Sequence, residues 1–581
     1  MYTYKNESII HSIIFGIVLL FLGVFLIYPV FYLFKVTFWG ADQGIWTYFQ
    51  LIVSSPLQRR SLYNSLFLST FITLLTTLIA LPMAYWFTRY SFPGKEWVQA
   101  FSLIPLIMPS FVGAIGMKQL LARFGSLNLF LNKFGLISLQ HPIDWLGSSG
   151  FWGIIIMSTL HLYPIMLLNL QGALANIDVS LLEAAESLGA SPIYIFRTVI
   201  LPLIVPGYFA GAVIVFVWAF TDLGTPLIFG FDRVIPVQIY HNLTEIHTNP
   251  MGFALVLFSL FLILLLFLIS KKFFGGKGYE MSVSGYISGI QKQASTTQSF
   301  LILSVVCGII FLALLPHISI ILQSLAGRWF FTIVPEHWTL TNYQYIFSYP
   351  LTATSIKNSL FFSSMSTLLD LVFGVLIAYL VARKRIPGGN ILDMLAMLPL
   401  ILPGLIIAFS YVACFHFPIQ PGMSYPFWYY WLHQFLDPTV NPTILLIMSY
   451  AIRRLPYTVR AAYAGFQQAH ITLEEASLNL GASTWYTIRK ITLPLMTTTL
   501  IASAIMAFSF AMLEVSDSLI LAQKEKYYPI TKAVFSLIEF IDPNAPAIAS
   551  ALGVLGIAIL SSAVFIASKM LGKWFGSLFR I

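Results

Sequence analysis

The chain has 581 residues, of which 58% are hydrophobic and only 9% charged. A soluble domain carries about 25% charged residues, so a water-soluble enzyme or binding module is excluded, and long Leu/Ile/Phe runs without two-residue alternation exclude an outer-membrane barrel. The formal net charge of +9 is what Lys and Arg anchoring membrane helices on one side produce and does not indicate nucleic acid.

Taken in order, the first apolar run, about 9–34, is too long for the core of a signal peptide and lacks a small-residue cleavage site, so it reads as a retained span. Runs near 62–88, 98–121, 151–174, 203–229 and 251–270 follow, each about the length that crosses a bilayer as a helix. A polar stretch with Gly275, Gly276, Gly278, Lys271, Lys272 and Lys277 then divides the chain, and the second part has runs near 299–324, 357–381, 390–414, 442–465, 497–521 and 549–570. The expected fold is an all-α membrane protein of about twelve transmembrane helices, with a first half over 1–290 and a second over 291–581. Cys307 and Cys414 each lie within an apolar run and are expected to be buried small side chains, not a disulfide or metal framework. The aromatic segment from Gly422 to Phe435 is expected to lie along the outer interface.

The two halves repeat one another. At an offset of 294 residues Asn64-Ser65-Leu66 matches Asn358-Ser359-Leu360, Arg89 matches Arg383, and Pro105 and Pro109 match Pro399 and Pro403. At an offset of 292, Ser180–Pro206 matches the stretch from Thr472 without a gap: Glu183 with Glu475, Gly189 with Gly481, Ala190 with Ala482, Arg197 with Arg489, and Leu201-Pro202 with Leu493-Pro494. Six spans per half give both copies the same orientation, so the repeats are parallel. Each copy is a polar island. Ser180 and Glu183, and Thr472 and Glu475, have capping-box spacing; a helix of about 8 residues follows; Gly189 and Gly481 stand where a helix stops in the left-handed conformation; Ser191 and Ser483 cap a second helix, with Pro192 at its first position. The basic clusters Arg383-Lys384-Arg385, Arg453-Arg454 and Lys271-Lys272 fall on the side that also carries both islands when the N-terminus is inside, which makes that side cytoplasmic.

The duplicated island resembles the EAA loop of permease subunits of ABC importers. Glu183-Ala184-Ala185 followed by Gly189 fits the family pattern, and Glu475-Ala476-Ser477 followed by Gly481 departs from it only at Ser477. The resemblance implies a type I importer permease with both halves fused and a coupling loop over about 178–202 and about 470–494. It also implies two ATP-binding cassette subunits, expected to be identical, that carry ATP and Mg, an extracytoplasmic substrate-binding protein, and a place in the bacterial cytoplasmic membrane with both termini cytoplasmic. The chain is expected to have no ATPase site: Gly275-Gly276-Lys277 lacks the spacing and following Ser/Thr of a phosphate loop. The segments TDLGTPLIFG and SYAIRRLPYTVRAA look most like the ferric iron branch, with thiamine, polyamine and phosphonate or sugar phosphate carriers as alternatives within the class. An ion-coupled secondary transporter would need titratable groups near the midplane and leaves the duplicated loop unexplained.

Charges inside spans cost about 2.5–3.5 kcal/mol each at a helix centre on insertion scales, so those present are candidate sites. Asp222 and its repeat equivalent Glu514, with Asp517 one turn on, are expected toward the outer end of the pore-lining spans. There they would meet near the pseudo-twofold axis and attract a cation or cap a helix break. Asp370 is expected to be bonded to nearby Ser or Thr hydroxyls, and His161 to be a satisfied core histidine. No histidine pair has metal-ligand spacing, and the sequence names no metal ligand.

Overall fold

Proline decides the shape of the third span in each half. Pro105 and Pro399 sit in short 3-10 turns, Ile104–Leu106 and Leu398–Leu400, and Pro109 and Pro403 are extended residues that start the next helix. A proline cannot donate the bond that would carry the helix through, so the runs expected as single spans are bent pairs: Lys95–Leu106 with Ser110–Lys133 at 95°, and Gly389–Leu400 with Gly404–Cys414 at 103°. The computed structural model describes residues 2–39, 45–147, 150–246, 249–274, 291–384, 387–420, 422–539 and 542–571. The expected linker glycines, Lys277 and the boundary at 290/291 lie outside them or at their edge, as does Arg385.

Among the described residues nine helices are long and apolar enough to cross a bilayer. The first half has His11–Phe38, Pro56–Arg89, its bent pair, Phe151–Ala175, Pro192–Thr221 and Met251–Ser270. The second has Thr296–Ser324, Pro350–Lys384, its bent pair, Thr484–Met512 and Ala545–Ala563. The place of Phe151–Ala175 is taken in the second half by Thr443–Gln468, which is long enough but carries Arg453, Arg454 and Arg460. Six positions per half result, as expected.

The repeated Asn-Ser dipeptides do the same work twice. Asn64 Nδ2 donates to the Arg233 carbonyl at 2.9 Å and Asn358 Nδ2 to the Tyr528 carbonyl at 3.1 Å. Ser65 Oγ accepts from Ile235 N at 2.8 Å and Ser359 Oγ from Ile530 N at 2.7 Å. Each pair thus pins the short helix that follows the broken fifth span, Ile235–His241 or Ile530–Glu539. The leading helix of each half packs on the other half. Phe21 stacks on Phe373 with ring centroids 3.9 Å apart, and Tyr411 Oη donates to the Phe25 carbonyl at 2.6 Å. Gly116 lets the first half approach the Pro316 backbone so closely that a Cβ would collide with its carbonyl. The halves are therefore joined by exchanged helices as well as by the chain. Cys414 is buried as expected, but Cys307 is exposed on Thr296–Ser324; an apolar outward face in lipid accommodates a thiol as readily as a core does.

Candidate functional site

Both loops fold alike, from somewhat different residues than their spacing suggests. The first loop helix is Val179–Ser187, and its cap is Asp178, whose Oδ1 accepts from Ser180 N at 2.9 Å. The second is Ile471–Asn479, with His470 at the cap position and no side-chain cap. The expected capping boxes at Ser180–Glu183 and Thr472–Glu475 do not form, because each helix begins before the hydroxyl residue and places it inside the first turn. Glu183 and Glu475 are exposed. Gly189 at φ 79° and Gly481 at φ 86° take the left-handed turn, and Ala190 N and Ala482 N each bond at 3.1 Å to a carbonyl five residues back, at Ala185 and Ser477. Ser191 and Ser483 cap the next helix through Tyr194 N at 3.4 Å and Tyr486 N at 3.2 Å. The departure at Ser477 is compensated: its hydroxyl lies 2.9 Å from that of Thr487, whereas the matching positions in the first loop are the apolar Ala185 and Ile195.

The loops differ in how they are held. Arg383 donates to Glu474 Oε1 at 3.1 Å and to the Ala469 carbonyl at 2.6 Å. Its repeat equivalent Arg89 lies 3.9 Å from Glu186, which is instead gripped by Lys292 Nζ at 2.7 Å from both carboxylate oxygens. The hydrogen bond from Lys292 holds the Glu186 carboxyl below its ordinary value. Lys292–Gln293 pairs in parallel with Tyr90–Ser91, so the start of the second half is strapped to the first loop. Beyond these anchors the loops present apolar side chains at matching positions: Leu188 and Leu480 are 88% and 90% exposed, with Ile193 and Trp485, and Tyr194 and Tyr486, beside them.

The fifth spans break as the sequence suggests, yet the acids at the breaks do not form an open pair. In the first half the helix ends at Thr221, and half-buried Asp222 bonds into the first turn of the short helix Gly224–Phe229, its Oδ1 accepting from Thr225 N at 3.2 Å and its Oδ2 from Ser110 Oγ at 3.4 Å. In the second half Glu514 is buried and ion-paired to both Arg453 and Arg454. Asp517, fully buried, accepts from Ser449 Oγ at 2.7 Å and lies 3.5 Å from Arg453 Nη1. The two breaks touch where Gly224 packs on Val515, but the second carries a neutralised network instead of bare negative charge. Arg453 and Arg454, placed by charge counting at a membrane flank, stand mid-helix in Thr443–Gln468. A buried carboxylate is stabilised by such a counter-charge, and here the arginines supply it. Gly404 makes room, since a Cβ there would fall 2.5 Å from Asp517 Oδ1. His161, the repeat equivalent of Arg453, bonds the Pro105 carbonyl at 2.9 Å, as a satisfied core histidine does. Asp370 departs from expectation: it is 1% exposed and neither carboxylate oxygen has a partner among the described residues. Sequence reading missed Arg453, Arg454, Ser449 and Gly404 as members of this site. The available signal was an arginine pair within a 26-residue helix.

The model of the binding-protein-dependent transport system inner membrane component family matches this chain twice, over residues 76–275 and 370–576. FbpB 1 of Haemophilus influenzae is 32% identical over 534 residues, which are 88% of this chain and 77% of that protein. The ferric transport system permease protein FbpB of Actinobacillus pleuropneumoniae is 31% identical, over 86% of this chain and 70% of its own. A bacterial ABC transporter that imports alginate overlays 46% of this chain and 97% of its own at 20% identity and a TM-score of 0.35. With its domain present in both halves, this chain belongs to the binding-protein-dependent transport system inner membrane components, as a fused two-repeat permease.

Proposed function

We propose that the chain is the translocation subunit of an ATP-driven importer in which each loop docks one ATP-binding cassette subunit. The observation that carries this is the matched exposure of Leu188 and Leu480, Ile193 and Trp485, and Tyr194 and Tyr486 at equivalent positions of two loops that fold alike. Apolar side chains held out on a short rigid helix suit insertion into a partner's groove. Glu183, Ala184, Ala185, Gly189 and Ala190 form the first docking element, and Glu475, Ala476, Ser477, Gly481 and Ala482 the second. ATP and Mg belong to the partners, a binding protein delivers cargo at the opposite face, and the loop face and both termini are cytoplasmic. The halves divide at about 290/291.

For cargo we propose ferric iron, which the A. pleuropneumoniae relative's name supports. A second reading has gained ground from the geometry. Unpaired acids at the breaks would have repelled an anion, but Glu514 is neutralised by two arginines, so a phosphorylated anionic cargo meets no bare carboxylate pair there. The test is uptake into proteoliposomes that hold the chain with its ATPase and binding protein. Radiolabelled ferric iron is offered against a labelled sugar phosphate, each with the other as unlabelled competitor. ATP-dependent iron uptake that ignores the sugar phosphate supports the first reading, the converse supports the second, and uptake of neither with an intact complex removes both.

A further inference from the structure

Asp370 is a buried carboxyl without a hydrogen-bond partner among the described residues, and its surroundings offer one. It lies on Pro350–Tyr379, which packs along Thr443–Gln468 more extensively than any other helix pair among the described residues. The two helices run in the same direction, because both end at the second loop: Arg383, following the first, bonds the Ala469 carbonyl at the end of the second. They come close together at Gly374, where a Cβ would fall 2.9 Å from Thr458 Cγ2. In parallel helices the residues one turn earlier face each other as well. Those residues are Asp370 and Arg454. The two stand 13 and 15 residues before Arg383 and Ala469, or roughly 20 Å of helix, well inside a hydrocarbon layer about 30 Å thick.

The bonding is incomplete on both sides of this contact. Arg454 commits Nη2 to Glu514 and, at 2.7 Å, to the Phe510 carbonyl, and its Nη1 is buried without a partner among the described residues. Asp370 Oδ1 and Oδ2 and Thr458 Oγ1 are likewise buried without one. Three carboxylates, Asp370, Glu514 and Asp517, thus surround two guanidiniums, Arg453 and Arg454. The first half has Thr76 and Leu162 in the matching places, so the shared fold does not require the charges.

We propose that Arg454 exchanges partners during transport, bound to Glu514 in this conformation and to Asp370 in the alternate one. Asp370 is then a positioning residue that holds Thr443–Gln468 when Thr484–Met512 moves and takes Glu514 away. The inference rests on the transport reading and needs no further group: one carboxylate replaces another on the same guanidinium.

The test uses the whole complex, with ATPase and binding protein, in proteoliposomes. D370N removes the charge, D370T installs the residue that the first half carries, and D370E restores a carboxylate. D370N and D370T are expected to lower uptake per ATP hydrolysed by about tenfold without lowering the melting temperature of the purified chain, since among the described residues Asp370 has no partner to lose here and its burial is a cost; D370E is expected to recover most of the uptake. A structure of the complex held with a nonhydrolysable ATP analogue is expected to show Arg454 on Asp370 and released by Glu514. Wild-type uptake in D370N and D370T, failure of D370E to do better than D370N, or Arg454 still on Glu514 in the held state overturns the exchange. Should the wild-type complex itself transport neither cargo, the transport reading has failed, and the held structure alone then decides the exchange.

Discussion

Replacing Glu514 by Gln, beside Asp222 by Asn, separates a neutralised network from an open acidic gate. Glu514 is buried against Arg453 and Arg454, and removing one partner of a buried pair costs about 3–5 kcal/mol because the remaining charge is stranded. Asp222 is half-buried and holds one amide at 3.2 Å and one hydroxyl at 3.4 Å, bonds whose loss costs about 1 kcal/mol. With an unfolding entropy of about 2.1 cal/mol/K per residue, 581 residues unfolding together give about 1.2 kcal/mol/K. E514Q should therefore melt about 3–4 °C below wild type and D222N about 1 °C below it. The assay is thermal unfolding of the purified chain in detergent, followed by tryptophan fluorescence. Two bare carboxylates facing each other across the pseudo-twofold axis would repel, so under that arrangement either substitution would raise the melting temperature. A rise in E514Q, or equal shifts in the two variants, refutes the network.

Four further outcomes are expected. Gly189→Val with Gly481→Val should leave ATP hydrolysis running without uptake: nothing lies within 4 Å of either added Cβ, so the damage is the left-handed backbone, at about 1–2 kcal/mol per site, and surviving uptake would show that the turn has no coupling role. Leu188→Asp with Leu480→Asp should abolish co-purification of the ATPase subunits while the chain's own melting temperature stays put, both side chains being almost fully exposed. Gly404→Ala should destabilise by about 1–3 kcal/mol through overpacking against Asp517 and Arg453, and Ser110→Ala at the matching place in the first half by less; equal melting shifts would contradict the crowding. The strap between Lys292 and Glu186 should depend on pH in one direction. The folded carboxyl titrates below its ordinary 4.5, so the strap's contribution is complete above that value and is lost as pH falls through the lowered one. Hydrogen exchange of the Ala294 amide, bonded to the Ser91 carbonyl at 3.0 Å, should quicken only under more acidic conditions than pH 4.5 or at high salt, and should be fast at neutral pH in E186Q.

The spans, the tandem repeat and the loops were legible because their signals are local or periodic. A run of apolar residues reports its own burial in lipid, and Gly189 and Gly481 announce a turn that only a residue without Cβ adopts easily. The capping boxes failed at the next level of detail, since Ser180 and Thr472 have the spacing but Asp178 and His470 are where the helices begin. The second break was not legible because its partners are far apart in sequence. Counting arginines as markers of the aqueous flank assigns Arg453 and Arg454 to water, and nothing near them contradicts it; Glu514 lies 60 residues beyond Arg454 and Asp517 lies 68 beyond Ser449.

Comparing the halves position by position exposes what neither half shows alone. From the first half to the second, His161 becomes Arg453, Leu162 becomes Arg454, Asp222 becomes Glu514, Thr225 becomes Asp517, Met157 becomes Ser449 and Ser110 becomes Gly404. Each change makes sense only with the others: the arginines require the acids, Asp517 requires Ser449, and the group requires the space that Gly404 leaves. The first half holds the same helices at the same break with one acid, a hydroxyl and backbone amides, so folding does not demand the charged set. Four charges, three of them buried and Arg453 half-buried, that a hydrophobic set of similar volume would often match or exceed in stability are an expensive way to join helices that already pack. Their presence in one half only, beside an acid that has no partner among the described residues at Asp370, is what the proposed exchange of Arg454 between carboxylates would need.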